Sequence, residues 1–285
     1  MELKNNPAFV FVHGAWHNKE TWIKVIERLE AKGYGGIAID LPGAGEHAKI
    51  PQSFSNRPLD PAAFASEPSP NAGTTQEERN SAVRAAIEQA AALGNGKVVL
   101  VGHSLGGITL SPVTESIPEQ LHAVVYVTAF MLPPGMMAVQ MITHELMAAA
   151  LVPKLFMADP EQVGALRWDV ASPDPEYRFL AKAAFYADVP DDEIDEALSR
   201  LHCDEPVAVA AQPSNITPDK FGTVNRHYIK CVQDQAITLA GQEHMIALVD
   251  EAMGNGTIVH ALDTSHSPFY SQPDALVDIL LEAAS

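Results

Sequence analysis

Residues 97–107 read Lys-Val-Val-Leu-Val-Gly-His-Ser-Leu-Gly-Gly, a β-branched apolar run that breaks into a glycine-flanked turn and then into a helical pattern. A buried strand delivered straight into a helix through so tight a turn restricts the chain to few architectures, because the crossover must pack back on the sheet it left. The same alternation recurs along the sequence. Apolar strand runs are predicted at 8–13, 36–40, 97–103, 121–128, 226–232 and 257–262, with helices at 20–32, about 74–93, 105–116, 241–253 and 274–284. Thr74-Thr-Gln-Glu77 carries capping-box chemistry, in which a hydroxyl and a carboxylate satisfy each other's free backbone donors. Strands alternating with helices predict a mostly parallel sheet flanked on both faces.

Two stretches break the rhythm. Residues 46–73 are polar and proline-rich, too long for a routine connection, and are expected to travel over the surface near the strand ends. Residues 129–213 lose strand periodicity and carry six methionines, Met131, Met136, Met137, Met141, Met147 and Met157. They are expected to form a helical cap, or lid, inserted into a core made of 1–128 and 214–285. The methionines suggest an adaptable apolar pocket, although ordinary packing accounts for at least half of them.

Composition narrows the class of function. Lys and Arg number 18 against 36 Asp and Glu, a net charge of −18. Such a surface repels phosphate backbones and anionic membranes, so neither nucleic acid nor membrane is an expected partner. The most apolar stretch, 129–158, is broken by prolines and charges before it reaches the roughly 20 residues that span a bilayer. The apolar run at 8–12 is too short for a secretory signal, and a soluble, cytoplasmic protein is the expectation. Cys203 and Cys231 are expected to be free thiols. There is no His-Glu-x-x-His or Cys-x-x-Cys spacing and no dinucleotide fingerprint in the first strand–helix turn, so no metal and no cofactor are expected.

Gly102-x-Ser104-x-Gly106 lies after a strand and before a helix, the context in which such a motif presents a nucleophilic serine. A serine hydroxyl needs a base, itself oriented by a carboxylate, and in this arrangement both follow the serine in chain order. Of the seven later histidines, His266 alone sits in a loop just past a strand end. Asp234, in the loop after 226–232, is preferred as the acid over Asp263, which would have to fold back on its own loop. Two backbone amides should hold the developing oxyanion, those of Leu105 and Ala15, each worth roughly 3–4 kcal/mol of barrier. His13 and His103 precede the serine and are expected to make structural hydrogen bonds at strand ends. Trp16 is a candidate pocket wall, with a core position nearly as well supported.

Phe9-Val-Phe-Val-His-Gly-Ala-Trp-His17, Asp40-Leu-Pro-Gly-Ala-Gly45, Gly102-His-Ser-Leu-Gly-Gly107, Tyr126-Val-Thr-Ala-Phe-Met131 and Ser265-His-Ser-Pro268 resemble the α/β-hydrolase superfamily. Within it they are similar to the small esterases grouped with plant methyl esterases, hydroxynitrile lyases and bacterial pyrethroid-hydrolase-like carboxylesterases. The resemblance implies an α/β-hydrolase fold, a Ser104–Asp234–His266 triad under a helical cap, and a possible homodimer. Many lyases of this group carry a lysine after the catalytic histidine and a threonine near the oxyanion loop; here Ser267 and Gly14 stand there. The expectation is a serine carboxylesterase acting on small, neutral, apolar ester substrates. The alternatives are cyanohydrin cleavage by the same triad and a ligand-binding relative without turnover.

Overall fold

The computed structural model describes residues 5–285. Six parallel strands form the central sheet in the order β2-β1-β3-β4-β7-β8. They are β1 (Ala8–Val12), β2 (Gly36–Ile39), β3 (Val98–His103), β4 (Leu121–Val127), β7 (Asn225–Cys231) and β8 (Ile258–Leu262). All six strands read from the sequence are present. The order reverses between β1 and β3, so the loops leaving these two strands diverge and open a crevice at the carboxyl edge of the sheet.

Alternate residues of each strand go to opposite faces. Phe9 and Phe11 of β1 pack with α1 (Ile23–Ala31) and with Leu276, Val277 and Leu280 near the C-terminus. Val10 and Val12 face Val83 and Ile87 of α4 (Gln76–Ala91) and Leu110 of α5 (Gly107–Ser116). Each such side chain, fully removed from water, contributes about 1.5–3 kcal/mol. The capping box of α4 lies one residue later than the first Thr–Glu spacing suggests. Thr75 is the N-cap and Glu78 its reciprocal partner, because of two adjacent threonines only the second precedes the helical backbone.

The insertion expected to be helical also carries a small pair of strands. Between β4 and β7 the chain forms short helices and two three-residue strands, β5 (Ala165–Arg167) and β6 (Asp204–Pro206), paired antiparallel. Periodicity cannot expose a strand this short, and Arg167, with no exposed surface, defies the rule that charge marks the outside. Its guanidinium forks onto both oxygens of Asp204 at 2.7 Å. It also donates to the carbonyls of Phe64 and Glu67, each at 2.6 Å. The 46–73 excursion, which holds the helices α2 (Gln52–Ser55) and α3 (Pro61–Ser66), is thereby stapled to the insertion. Arg57 adds a second bidentate grip on Asp169 at 2.8 and 3.0 Å. The helices of the insertion are α6 (Ala138–Ile142) and α7 (Pro160–Val163) before β5, α8 (Pro175–Phe185) and α9 (Asp191–Ser199) between β5 and β6, and α10 (Val207–Ala210) after β6. After β7 come α11 (Leu239–Met253), α12 (Pro268–Ser271) and α13 (Pro273–Ala283). Both cysteines are free and buried. Among the described residues no helix is long and apolar enough to cross a membrane.

Candidate active site

Ser104 leaves β3 with φ of 53°, a left-handed conformation that is strained for a residue with a side chain. One 3-10 turn, residues 104–106, then leads into α5. The tightness of this turn explains its glycines. A Cβ on Gly106 would lie 2.5 Å from the carbonyl oxygen of His13, so the helix start could not sit against the end of β1. The oxyanion-loop candidate approaches from the same side: a Cβ on Gly14 would come within 2.7 Å of the Cβ of Ser104. Glycine at 14 is a condition of that approach.

Asp234 and His266 meet as the sequence reading expects. His266 Nδ1 donates to Asp234 Oδ2 at 2.7 Å, and both side chains are buried. The rival Asp263 points elsewhere and accepts from Gln233 Nε2 at 2.7 Å. Asp234 Oδ1 takes the amides of Ala236 and Ile237 at 2.7 and 2.9 Å. Thr128 Oγ1, at the end of β4, also donates to Asp234 Oδ2. Four donors thus hold this carboxylate in one orientation, and a carboxylate bonded to Nδ1 leaves Nε2 as the nitrogen available for chemistry. His266 Nε2 is buried and has no hydrogen-bond partner. No hydrogen bond joins it to Ser104 in the structure.

The loop after β1 is fixed at both ends of one peptide group. His17 Nδ1 donates to the Ala15 carbonyl at 2.7 Å, and the Trp16 amide donates to Glu205 Oε2 at 3.2 Å. Glu205 lies in β6 and its other oxygen pairs with Arg79 of α4 at 2.6 Å. His17 Nε2 in turn accepts from the Tyr186 hydroxyl at 3.0 Å. Burial pushes the His17 imidazole down to about 3 and outweighs its bond to Ala15, so it is neutral, as one donating and one accepting nitrogen require. Burial likewise takes His13 down to about 4. His13 bonds the Gly14 carbonyl through Nδ1 at 2.8 Å and accepts the Leu41 amide through Nε2 at 3.1 Å. His103 bonds the carbonyl of His266 at 2.9 Å, and burial, with the nearby His266 and His17, holds it well below the usual imidazole range. Both histidines occupy strand ends in the supporting roles the sequence suggests.

Ser104, Leu105 and Ala15 open onto a small cavity of about 50 Å³. Its walls are Trp16, Phe130, Phe156, Leu166 and Phe185, and no charged side chain lines it. Trp16 is a wall residue whose indole Nε1 is satisfied by the Leu166 carbonyl at 2.8 Å. Of the six methionines only Met147 reaches the cavity; Met131 packs beneath the sheet and Met141 inside the insertion. Thr128, His17, Tyr186 and Glu205 were not foreseen as site residues. Thr128 carried a legible signal, a lone hydroxyl at the same strand edge as the triad candidates. Tyr186 and Glu205 carried none, since they arrive from the insertion.

A strained serine at a strand–helix turn, with an imidazole–carboxylate pair on two later strand-end loops of a parallel sheet, is the layout of an α/β hydrolase. The family model described as "Alpha/beta hydrolase family" matches residues 9–279, and the chain belongs to that family. Among curated relatives it is 27% identical to Methylesterase 2 of Arabidopsis thaliana over 288 residues, covering 99% of this chain and 98% of the relative. Putative methylesterase 14, chloroplastic, of the same plant is 26% identical, with 97% and 71% covered. Among solved structures, a pyrethroid hydrolase from Sphingobium faniae JZ-2 matches with a TM-score of 0.74 at 19% identity, covering 97% of this chain and 96% of that one. That last likeness establishes the fold.

Proposed function

We propose that this protein is a serine carboxylesterase in which Ser104, His266 and Asp234 act as a triad. The observation that carries the reading is the Asp234–His266 pair, held by four donors and presenting an unpartnered Nε2, beside the strained Ser104 turn. In this reading residues 129–213 are the cap over a core of 1–128 and 214–285. Ser104 Oγ attacks the ester carbonyl while His266 Nε2 takes its proton, and Asp234 stabilises the imidazolium. The amides of Leu105 and Ala15 hold the tetrahedral oxyanion. Collapse expels the alcohol, which leaves with the proton from His266, and a water deprotonated by the same nitrogen hydrolyses the acyl-enzyme.

The apolar cavity and the −18 charge together favour small, neutral, apolar esters. The methylesterase names of the relatives put methyl esters on the test panel. No cationic side chain lines the cavity to stabilise a departing cyanide, which favours ester hydrolysis over cyanohydrin cleavage. The test is a panel of esters graded in chain length and branching, run beside mandelonitrile. Hydrolysis with a burst of alcohol, abolished in Ser104→Ala, is expected. Cyanide release without ester hydrolysis, or normal turnover by Ser104→Ala, refutes the proposal.

A further inference from the structure

Asp188 lies in the connection between α8 and α9, two residues after Tyr186 and far in sequence from Ser104, Asp234 and His266. Its carboxylate reaches the loop that carries His266. Thr264 Oγ1 donates to Asp188 Oδ2 at 2.5 Å, and Ser265 Oγ donates to Asp188 Oδ1. Thr264 Oγ1 is also within 2.7 Å of Ser271 Oγ in α12. Residues 264–267 have no exposed surface, so these hydroxyls cannot turn to water for an acceptor. Asp188 itself is half-buried. Burial pushes its carboxyl upward, but the hydroxyls of Ser265, Thr264 and Ser271 outweigh this and hold it below the ordinary range.

We propose that Asp188 is a positioning residue for catalysis, a carboxylate from the cap that sets the backbone of residues 264–265 and so aims His266 at Ser104. The proposal rests on the triad reading and deepens it. The bond from His266 Nδ1 to Asp234 sets the tautomer and the roll of the ring, but the place from which the ring starts is a backbone matter. Three contacts determine it. Gln233 N donates to the Thr264 carbonyl at 3.1 Å, His103 bonds the His266 carbonyl at 2.9 Å, and Asp188 grips two consecutive side chains between them. Holding both 264 and 265 restrains the peptide that joins them, and with it the direction in which the next Cα–Cβ bond leaves. The remaining freedom of His266 Nε2 is then small, as a reaction that loses rate steeply with misplacement requires.

The cap segment that supplies Asp188 touches the other half of the machinery as well. Tyr186 bonds His17, which holds the Ala15 carbonyl, and the Phe185 ring lies 6.0 Å from that of His266 and lines the cavity. Residues 185–188 thus contact the base loop, the oxyanion loop and the substrate wall within four positions. A seated cap aligns the catalytic groups; a displaced one does not.

The experiment compares Asp188→Ala and Asp188→Asn with the wild type and with Ser104→Ala, using one short activated ester and one small fluorophosphonate. Asp188→Ala is expected to lower kcat by about 10- to 100-fold with KM within about threefold. Asp188→Asn, which keeps an acceptor oxygen for one hydroxyl, should recover part of kcat. The rate of phosphonylation of Ser104 should fall in parallel, because it needs the activated serine but little of the pocket. Full kcat in Asp188→Ala, or a loss confined to KM, overturns the proposal while Ser104→Ala remains inactive. Normal turnover by Ser104→Ala overturns the triad reading beneath it. If Asp188→Ala does not fold, Ser265→Ala removes one contact from the other side and is expected to show the same split at about 3- to 10-fold. Full kcat in that variant then overturns the proposal.

Discussion

The pair Arg79–Glu205 offers a way to separate what stabilises this protein from what makes it work. Both side chains are buried, with 2% and 1% residue exposure, so neither can be rehydrated if its partner is lost. Arg79 Nη1 meets Glu205 Oε1 at 2.6 Å, its Nε donates to the Pro42 carbonyl at 3.1 Å, and its Nη2 has no partner. Replacing Arg79 by Met leaves Glu205 with the Trp16 amide as its remaining donor, and replacing Glu205 by Met leaves a buried guanidinium on one carbonyl. Each single variant should lose about 3–5 kcal/mol, the cost of stranding a buried charge. At about 2–4 °C per kcal/mol for a chain of this class, Tm should fall by roughly 10 °C. The double variant removes both charges. Its residual cost is the orphaned Trp16 amide, about 1–3 kcal/mol, together with the Pro42 carbonyl that loses Arg79 Nε, so part of the Tm should return. Activity should not return with it. With Glu205 gone, the Ala15–Trp16 peptide keeps only the His17 contact, and the Ala15 amide, the proposed oxyanion donor in the peptide before it, is held only through the Gly14 carbonyl. One oxyanion donor is worth about 10²–10³ in kcat, so a partial loss of about tenfold in kcat/KM is the expected outcome. Arg79→Met with Glu205→Gln, which keeps an oxygen for the Trp16 amide, should recover both. Thermal melts and hydrolysis of a short p-nitrophenyl ester measure the two axes. A Met/Met double variant with wild-type kcat/KM refutes the assignment of Glu205 to the oxyanion loop.

Two further outcomes follow from the same geometry. Thr128→Val preserves shape and removes the hydroxyl from Asp234; a hydrogen bond to a charged acceptor contributes about 1.5–3 kcal/mol, so Tm should fall by several degrees and kcat more than KM. Equal kcat and Tm in this variant would contradict the four-donor description of Asp234. His13 and His17, held neutral in the fold near 4 and 3, would take up protons when unfolded below the ordinary value of 6.5. The unfolded chain therefore binds more protons in that window, and stability falls as pH drops from about 6.5 toward the folded values, by roughly 2 kcal/mol per histidine at pH 5. Urea unfolding at pH 7 and pH 5 measures this, and unchanged stability across that interval refutes it.

Ser104, His266 and Asp234, the proposed triad, could be singled out in the sequence because each stands just after a strand, and parallel strands bring all such positions to one edge. Chain order and turn chemistry were then enough to choose Asp234 over Asp263. Thr128 obeyed the same rule and could have been found by it. Glu205, Tyr186 and Asp188 could not. They come from an insertion whose short helices and three-residue strands leave no usable period, and their partners lie 189, 169 and 76 or 77 positions away. The methionines suggested an adaptable apolar pocket with at least half of them in ordinary packing; of the six Met147 alone lines the cavity, whose apolar walls are aromatic and aliphatic side chains.

By itself the sequence determined the parallel sheet, the serine turn and the identity of the groups at the carboxyl edge, because alternation, glycine sterics and chain order are local or nearly so. Only the tertiary structure decided which peptide of the β1 loop is clamped, what holds the loop of His266, and which side chains enclose the cavity. Those depend on how the insertion settles back over the sheet. A buried charge pair crosses that seam, Arg79 of α4 on Glu205 of β6, and its pairing becomes meaningful only where water has been excluded.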